Sequence, residues 1–338
     1  MSNIDKKPVS SNWGQIAHRS SEAEHSNEIK ALKLALQAER KAHEQTAKAL
    51  KSARSSSESV VVAPRPKKTL ASKGDIVEVI FSDVHGNKHD PLAFSALLGD
   101  LKTIRPDRII IGGDLLDCSG FLAEHHTLGY LAETEDSYED DVKVTNILLD
   151  QIQKHSSCED IHYIEGNHEW RVERWAVNQK LAHHKDVELL RNTFCAEHVL
   201  GLKERGIQYY RQGMTHGDCI TPGWVKFDKV SFVHKISNAT DAAEVALSKA
   251  AGNIVFFDSH RATFKPKFLP NVGLIAAWNP GCLCKRQPHY ANTNPTTWTH
   301  GYLVRVISRS TGNFQMMNVT INNGESFAGL LLKNREEQ

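Results

Sequence analysis

No apolar run in the chain approaches the ~18 residues that a membrane span needs, and mean hydropathy is −0.42. A membrane-embedded protein is therefore not expected. The start, MSNIDKKPVSSNWGQ, lacks the apolar stretch of a secretory signal, so a cytoplasmic location is expected. Charge of one sign is also missing. Forty-one Lys and Arg against forty Asp and Glu leave a formal net charge of +1, which excludes a uniformly basic nucleic-acid coat but not a local patch. There is no C-x-x-C pair among the six cysteines, hence no zinc-ribbon spacing. Cys118, Cys158, Cys195 and Cys219 are scattered, and only Cys282 and Cys284 lie close, as C-x-C. Reduced thiols are the expectation. No P-loop and no Ser-His-Asp elbow occurs, so a side-chain nucleophile is not the first choice.

The chain does have a core-forming composition, 40% hydrophobic and 24% charged over 338 residues. It also has eighteen histidines, more than its phenylalanines or tyrosines. Residues 1–20 read as disordered. Residues 21–58 are rich in Glu, Lys, Ala and Leu and read as a charged helix. Ile29, Leu32, Leu36 and Leu50 fit a heptad frame, interrupted by Glu39, His43 and Thr46. A weak coiled coil that makes a homo-oligomer and a lone solvated helix both fit that seam. Residues 59–74 are a Ser/Pro/Lys linker, and a tail at 331–338 follows the domain at 75–330.

Within 75–330 short β-branched runs alternate with helix-like stretches, the pattern of α/β layers. Strands are expected at Ile76–Phe81, Arg108–Ile111, Ile161–Ile164, Gly213–Thr215, Ile254–Phe257 and Val272–Ala277. Helices are expected at Pro91–Thr103, Val142–Lys154, Glu169–Gln179, Lys185–Cys195 and Ser231–Ala250. Tyr302–Ser308 and Phe314–Ile321 flank SRSTGN as a hairpin, which makes the sheet arrangement mixed.

Polar residues collect where the expected strands end: FSDVHGN, IGGDLLD, IEGNHEWR, THGD and FFDSHR. Ligands bind at that edge in open α/β sheets. Each cluster alone is an ordinary turn or cap. Five together place Asp, Asn and His donors on one edge, a mixture suited to Mn, Fe, Zn or similar divalent ions. A carboxylate among them can bridge two ions ~3.5–4 Å apart.

In that order the motifs resemble the calcineurin-like metallophosphoesterase superfamily, whose pattern is D-x-H, GD-x-x-D, GNH-[ED], a lone His and G-H-x-H. The resemblance covers residues 76–308, and the leader and the arginines after GNHE are similar to bacterial and bacteriophage versions. It implies a two-sheet mixed β-sandwich flanked by helices, with the helical leader in front, as one catalytic domain of roughly 260 residues. It implies two divalent ions, Mn first, then Fe, Zn or Mg. Asp83, His85 and His260 would hold one ion, Asp114 would bridge, and Asn167 and His216 would hold the other. Asp258 stands where the family has a ligand His, and its carboxylate is expected to ligate in that place. His168 would act as general acid or phosphate contact, with Asp117 fixing its tautomer. Arg171 and Arg174, three apart on a helix, are candidate phosphate contacts.

The expected activity is hydrolysis of a phosphoester by water that two ions activate. A nuclease of the same superfamily, with nucleic acid as partner, is the alternative; PRPKK favours it, and the acidic run at 132–141 disfavours it. A non-catalytic coiled-coil scaffold with a vestigial site is the reading from another class, and Asp258 is its only support.

Overall fold

The computed structural model describes residues 74–123, 137–179, 183–237, 239–288 and 295–328, together with Lys30 and Lys33. The chain divides into two compact units, Met1–Glu58 and Ser59–Gln338. Apart from Lys30, Lys33 and Gly74, the expected leader, linker and two tails lie outside the described residues, and every element below belongs to the second unit.

Two mixed sheets make a sandwich. The first joins β1 (Ile76–Phe81), β2 (Arg108–Ile111), β3 (Asp160–Ile164), β4 (Gln208–Tyr210), β10 (Gly301–Ile307) and β11 (Phe314–Thr320) in the order β11-β10-β1-β2-β3-β4. The second joins β5 (Val225–Phe227), β6 (Val230–Val233), β7 (Asn253–Phe256), β8 (Thr263–Leu269) and β9 (Gly273–Asn279) in the order β5-β6-β7-β9-β8. β1 to β4 run parallel in one sheet, and β6, β7 and β9 run parallel in the other. The antiparallel strands β10, β11, β5 and β8 lie outside these parallel centres. The sandwich and the β10–β11 hairpin are as the sequence implied.

The facing sides interlock through Ile80, Ile110 and Ile164 on one sheet and Phe232, Val255, Ala276 and Trp278 on the other. Burial of these side chains is the main favourable term for the fold. Helix α1 (Pro91–Ile104) starts because Asp90 caps it, accepting from Leu92 N at 3.0 Å and Ala93 N at 2.9 Å, with Pro91 in the first turn. It buries Phe94, Leu97, Leu98 and Leu101, one helical face. Helix α2 (Tyr138–Ser156) is capped by Ser137 and carries Glu139, Asp140 and Asp141 in its first turn, which suits the positive end of its dipole. It begins earlier than expected, so part of the acidic run at 132–141 is helical. Helices α3 (Arg171–Asn178), α4 (His184–Phe194) and α5 (Ala196–Val199) follow β3.

The expected helix over Ser231–Ala250 is corrected. Its first part is strand β6, and only α6 (Ala242–Ala250) is helical. The alanine-rich half dominates the window and hides a tight β5–β6 hairpin, turned by Asp228 at φ 55. Gly213–Thr215 is not a strand, and β8 was not expected. No helix among the described residues is long and apolar enough to cross a membrane.

Near the starts of the parallel strands, away from the edge with the motifs, Glu78 is fully buried in β1. Arg305 Nε lies 2.5 Å from one carboxylate oxygen and Arg108 Nη1 lies 2.7 Å from the other. Arg305 also lies over the rings of Phe232 and Phe314. Removing one partner of such a pair leaves an uncompensated buried charge. Glu78→Ala is expected to cost about 3–5 kcal/mol in urea unfolding while the folded variant keeps its metal affinity. An unchanged unfolding midpoint would contradict this role.

Candidate metal centre

The strand ends that carry the motifs converge at one end of the sandwich. Asp83 and His85 follow β1, Asp114 and Asp117 follow β2, and Asn167 and His168 follow β3. From the other sheet, His234 follows β6, and Asp258 and His260 follow β7. Five of these residues hold left-handed backbone without being glycine: Asp83 (φ 54), His85 (φ 56), Asp114 (φ 50), Asp258 (φ 64) and His260 (φ 56). Such strain costs free energy and persists where surrounding structure enforces it, commonly at functional sites.

Two overlapping groups share Asp114. Ligand atoms of Asp83, His85 and Asp114 lie within 4.8 Å of one another, and so do those of Asp114, His234 and Asp258. His260 joins the first group, with Nε2 3.0 Å from Asp83 Oδ1 and 3.4 Å from His85 Nε2. Asn167 joins the second, with Oδ1 2.9 Å from His234 Nε2. Asp114 Oδ2 is 3.2 Å from His234 Nε2 and 3.9 Å from both His85 Nε2 and His168 Nε2.

The rings fit metal ions. His85 turns Nδ1 outward to Asp117 Oδ1 at 2.9 Å, and His234 turns Nδ1 to Gly112 O at 2.7 Å. These partners assign the proton to Nδ1 and leave Nε2 facing the cluster with its lone pair, the arrangement of metal-bound histidine. His260 likewise turns Nε2 inward. Asp83 Oδ1 is buried and makes no hydrogen bond of ordinary geometry, its polar neighbour being His260 Nε2 at 3.0 Å, and a cation between the two would satisfy both. Oxygen and imidazole donors of this kind suit a hard or borderline divalent ion.

Charge follows the same geometry. Burial opposes ionisation of Asp114, yet His234, His168 and His85 hold its carboxyl well below the usual range. Burial likewise opposes the charged form of His234, but Asp114 raises it to about 10. In the metal-free chain that proton neutralises Asp114. An ion must displace it, so ion binding weakens as pH falls.

One residue of the expected set is placed apart from the cluster. His216 is not brought to the cluster: its Nε2 bonds Arg211 O at 2.7 Å and its ring meets the edge of Tyr210. His234 stands in its place. The misplaced helix hid it, although a His directly after VSFV matches the pattern of the other motifs. Asp258 does face the cluster, with Oδ1 4.0 Å from His234 Nε2, and Lys235 Nζ donates to both of its oxygens, at 2.9 Å to Oδ2 and 3.1 Å to Oδ1.

His168 sits beside the groups. Its Nδ1 lies 2.8 Å from Asp117 O and 3.0 Å from Asp117 Oδ1, so Asp117 contacts this ring. Burial works against protonation of His168, but Asp114 and Asp117 raise its pKa. Arg171 Nη2 lies 2.9 Å from His168 Nε2, which places Arg171 at the site. Arg174 is placed elsewhere, over the Trp170 ring.

Two carboxylates outside the expected set organise the loops. Glu169 accepts from Asp114 N and Leu116 N, both at 3.0 Å, from Gly166 N at 2.9 Å and from Tyr163 Oη. It thereby ties the second motif to the third. Gly166 permits this approach: a Cβ there would lie 2.1 Å from Asp114 Oδ1. Asp141 of α2 accepts from Asn87 N at 3.4 Å and Ser119 N at 3.3 Å, bracing the first and second motif loops. Burial, then Asp114, pushes Glu169 up to about 7; burial, then Asp117, does the same to Asp141.

For Asp141 the ordinary value is 3.8, so the folded state holds the proton more tightly. Its contribution to stability is complete below about 4 and is lost as pH rises through about 7. Asp141→Asn, which cannot ionise, is expected to flatten the decline in stability of the chelated protein between pH 4 and 7. Urea unfolding across that range checks it; a slope equal to that of wild type would contradict it.

The family model for calcineurin-like phosphoesterases matches residues 79–279, well over half of the chain. Among solved structures, a single mutant of Vps29 from Entamoeba histolytica is similar at 10% identity and a TM-score of 0.36, covering 74% of this chain and 96% of that one. Yfce, a phosphoesterase from E. coli, is similar at 13% identity and a TM-score of 0.32, covering 73% and 100%. The curated protein sequences compared give no match. The chain belongs to the calcineurin-like phosphoesterase family.

Proposed function

We propose that the chain is a hydrolase that cleaves a phosphoester with the help of two divalent ions. The observation that carries this is the pair of ligand groups that share Asp114. Asp83, His85, His260 and Asp114 would hold one ion. Asp114, Asn167, His234 and Asp258 would hold the other. When bound, such ions supply a water-derived nucleophile at neutral pH and neutralise phosphoryl charge. Manganese is the first candidate, because carboxylate oxygens accompany imidazole in both groups and the Asn167 amide oxygen joins the second.

The chain's own residues do the rest. Asp117 holds the His168 ring, and Asp114 and Asp117 favour its protonated form. Protonated His168 would give the Nε2 proton to the leaving oxygen. The Arg171 guanidinium now at Nε2 would turn to a phosphoryl oxygen. Half-buried Asp117 and buried Glu169 keep both loops in register while the charge develops.

The family and the convergence of these donors support an enzyme over a scaffold with a vestigial site. Phosphomonoesters and small diesters are the proposed substrates, ahead of nucleic acid. The test is hydrolysis of p-nitrophenyl phosphate, bis-p-nitrophenyl phosphate and labelled DNA with manganese and with chelator. Metal-dependent turnover of a small ester is expected. Cleavage of DNA alone would favour the nuclease; turnover of none would favour the scaffold.

A leaving group that departs without a proton separates the role of His168 from that of the ions. His168→Ala is expected to cost about 10²–10⁴-fold on an alkyl phosphoester and far less on the p-nitrophenyl ester. Equal losses on both would contradict general-acid catalysis by this residue.

A further inference from the structure

The segment after β9 reads NPGCLC, and its backbone is fastened on both sides. Leu283 N donates to Asp83 O at 3.1 Å, Asp90 N donates to Leu283 O at 2.8 Å, and Cys282 N donates to Thr299 O at 2.9 Å. Cys282 and Cys284 are both buried. Both meet the ring of His260. Cys284 Sγ lies 3.7 Å from His260 Nδ1, and the Cys282 thiol interacts electrostatically with the same side chain. A ring nitrogen of His85, one of His260 and Cys284 Sγ lie within 4.8 Å of one another. Trp298 packs edge-on against the His260 ring at 4.0 Å between centroids.

The three inward-facing rings therefore have three different outer partners. His85 has a carboxylate, His234 a backbone carbonyl and His260 sulfur. Histidine at a metal almost always gives its second N–H to a carboxylate, carbonyl or water, and that bond fixes the ring and raises the basicity of the metal-facing nitrogen. Here Nε2 of His260 already faces Asp83 and His85, so Nδ1 is the atom free to serve that purpose.

We propose that Cys282 and Cys284 are positioning residues for a metal ion, a thiol pair that receives the Nδ1–H of His260 and holds its Nε2 toward Asp83 and His85. The proposal rests on the two-ion reading and deepens it. Sulfur is larger and more polarizable than a carbonyl oxygen, so its hydrogen bond is longer and more tolerant of ring displacement. One ion of the pair, not both, then depends on the thiols.

Cobalt(II) serves as the probe. Wild type, C282A/C284A and C282S/C284S are titrated by calorimetry, and the optical spectrum of each cobalt complex is recorded. Wild type is expected to bind two ions without a sulfur-to-cobalt charge-transfer band. The alanine pair is expected to weaken one of the two by about 10–100-fold, the usual cost of losing an outer partner. The serine pair, whose hydroxyls accept the same N–H, is expected to stay close to wild type. Unchanged affinity in the alanine pair would overturn the proposal. A charge-transfer band in wild type would overturn it in favour of direct sulfur ligation. Wild type that binds no cobalt would defeat the two-ion reading, and the proposal with it. Where circular dichroism shows the alanine pair unfolded, the single variants C282A and C284A take its place. Each is expected to weaken the same ion in part, and affinity unchanged in both would overturn the proposal.

Discussion

Asp114→Asn is expected to remove the proposed metal-dependent phosphoesterase activity, by ~10³-fold or more, and to leave the fold in place. The reduction matches the scale on which a single charge-stabilising group acts, and Asp114 belongs to both ligand groups. An amide keeps one oxygen for the His168 N–H, which now reaches Asp114 Oδ1 at 2.9 Å. It gives up the negative charge that both ions would share. His234 loses its counter-charge at the same time, and the ring then stays neutral without penalty. Circular dichroism and thermal unfolding in chelator are expected to match wild type, while ion binding and turnover fail together. Wild-type turnover in the variant would sink the bridging role.

The second large effect separates two histidines. His234→Ala is expected to remove one of the two bound ions, weakening it by at least ~100-fold, beyond what loss of an outer partner costs. His216→Ala is expected to leave both ions and the rate unchanged, because its ring is spent on Arg211 O and Tyr210. His234 sits 3.2 Å from Asp114 and 2.9 Å from Asn167, so its loss opens the second group. Calorimetric titration of both variants checks this. The reverse pattern would restore His216 as the ligand.

That pair of residues also shows where sequence reading succeeds and stops. Asp83, His85, Asp114, Asn167, Asp258 and His260 were legible because each directly follows a β-branched run with a Gly, Asp or Asn turn behind it. The architecture was legible from the same alternation of strand and helix. His234 was not, because β6 is four residues long and the alanine-rich segment beyond it pulls the period toward a helix. THGD, by contrast, looks like a motif and folds as a turn: Cys219 N bonds His216 O, and Gly217 takes φ 54. Strand β8 was missed because Lys265, Pro266 and Lys267 break its apolar run. Its lysines reach across to Asp241 and Glu244, a tertiary partnership that no local window contains.

Glu169 and Asp141 mark a different limit. Glu169 lies inside GNHE yet draws attention only once its acceptor role toward Asp114 N, Leu116 N and Gly166 N is seen. Asp141 comes from a helix far along the chain and reaches the site only through packing of α2 against the first and second motif loops. Loop-bracing carboxylates have no spacing rule. Burial and partners, not pattern, identify them.

The most direct test is the rate of p-nitrophenyl phosphate and bis-p-nitrophenyl phosphate hydrolysis as manganese is titrated into chelator-treated protein. The account predicts no turnover without metal and a rise that saturates only when two ions per chain are bound. Turnover in chelator, or none on either ester with both ions in place, would contradict it.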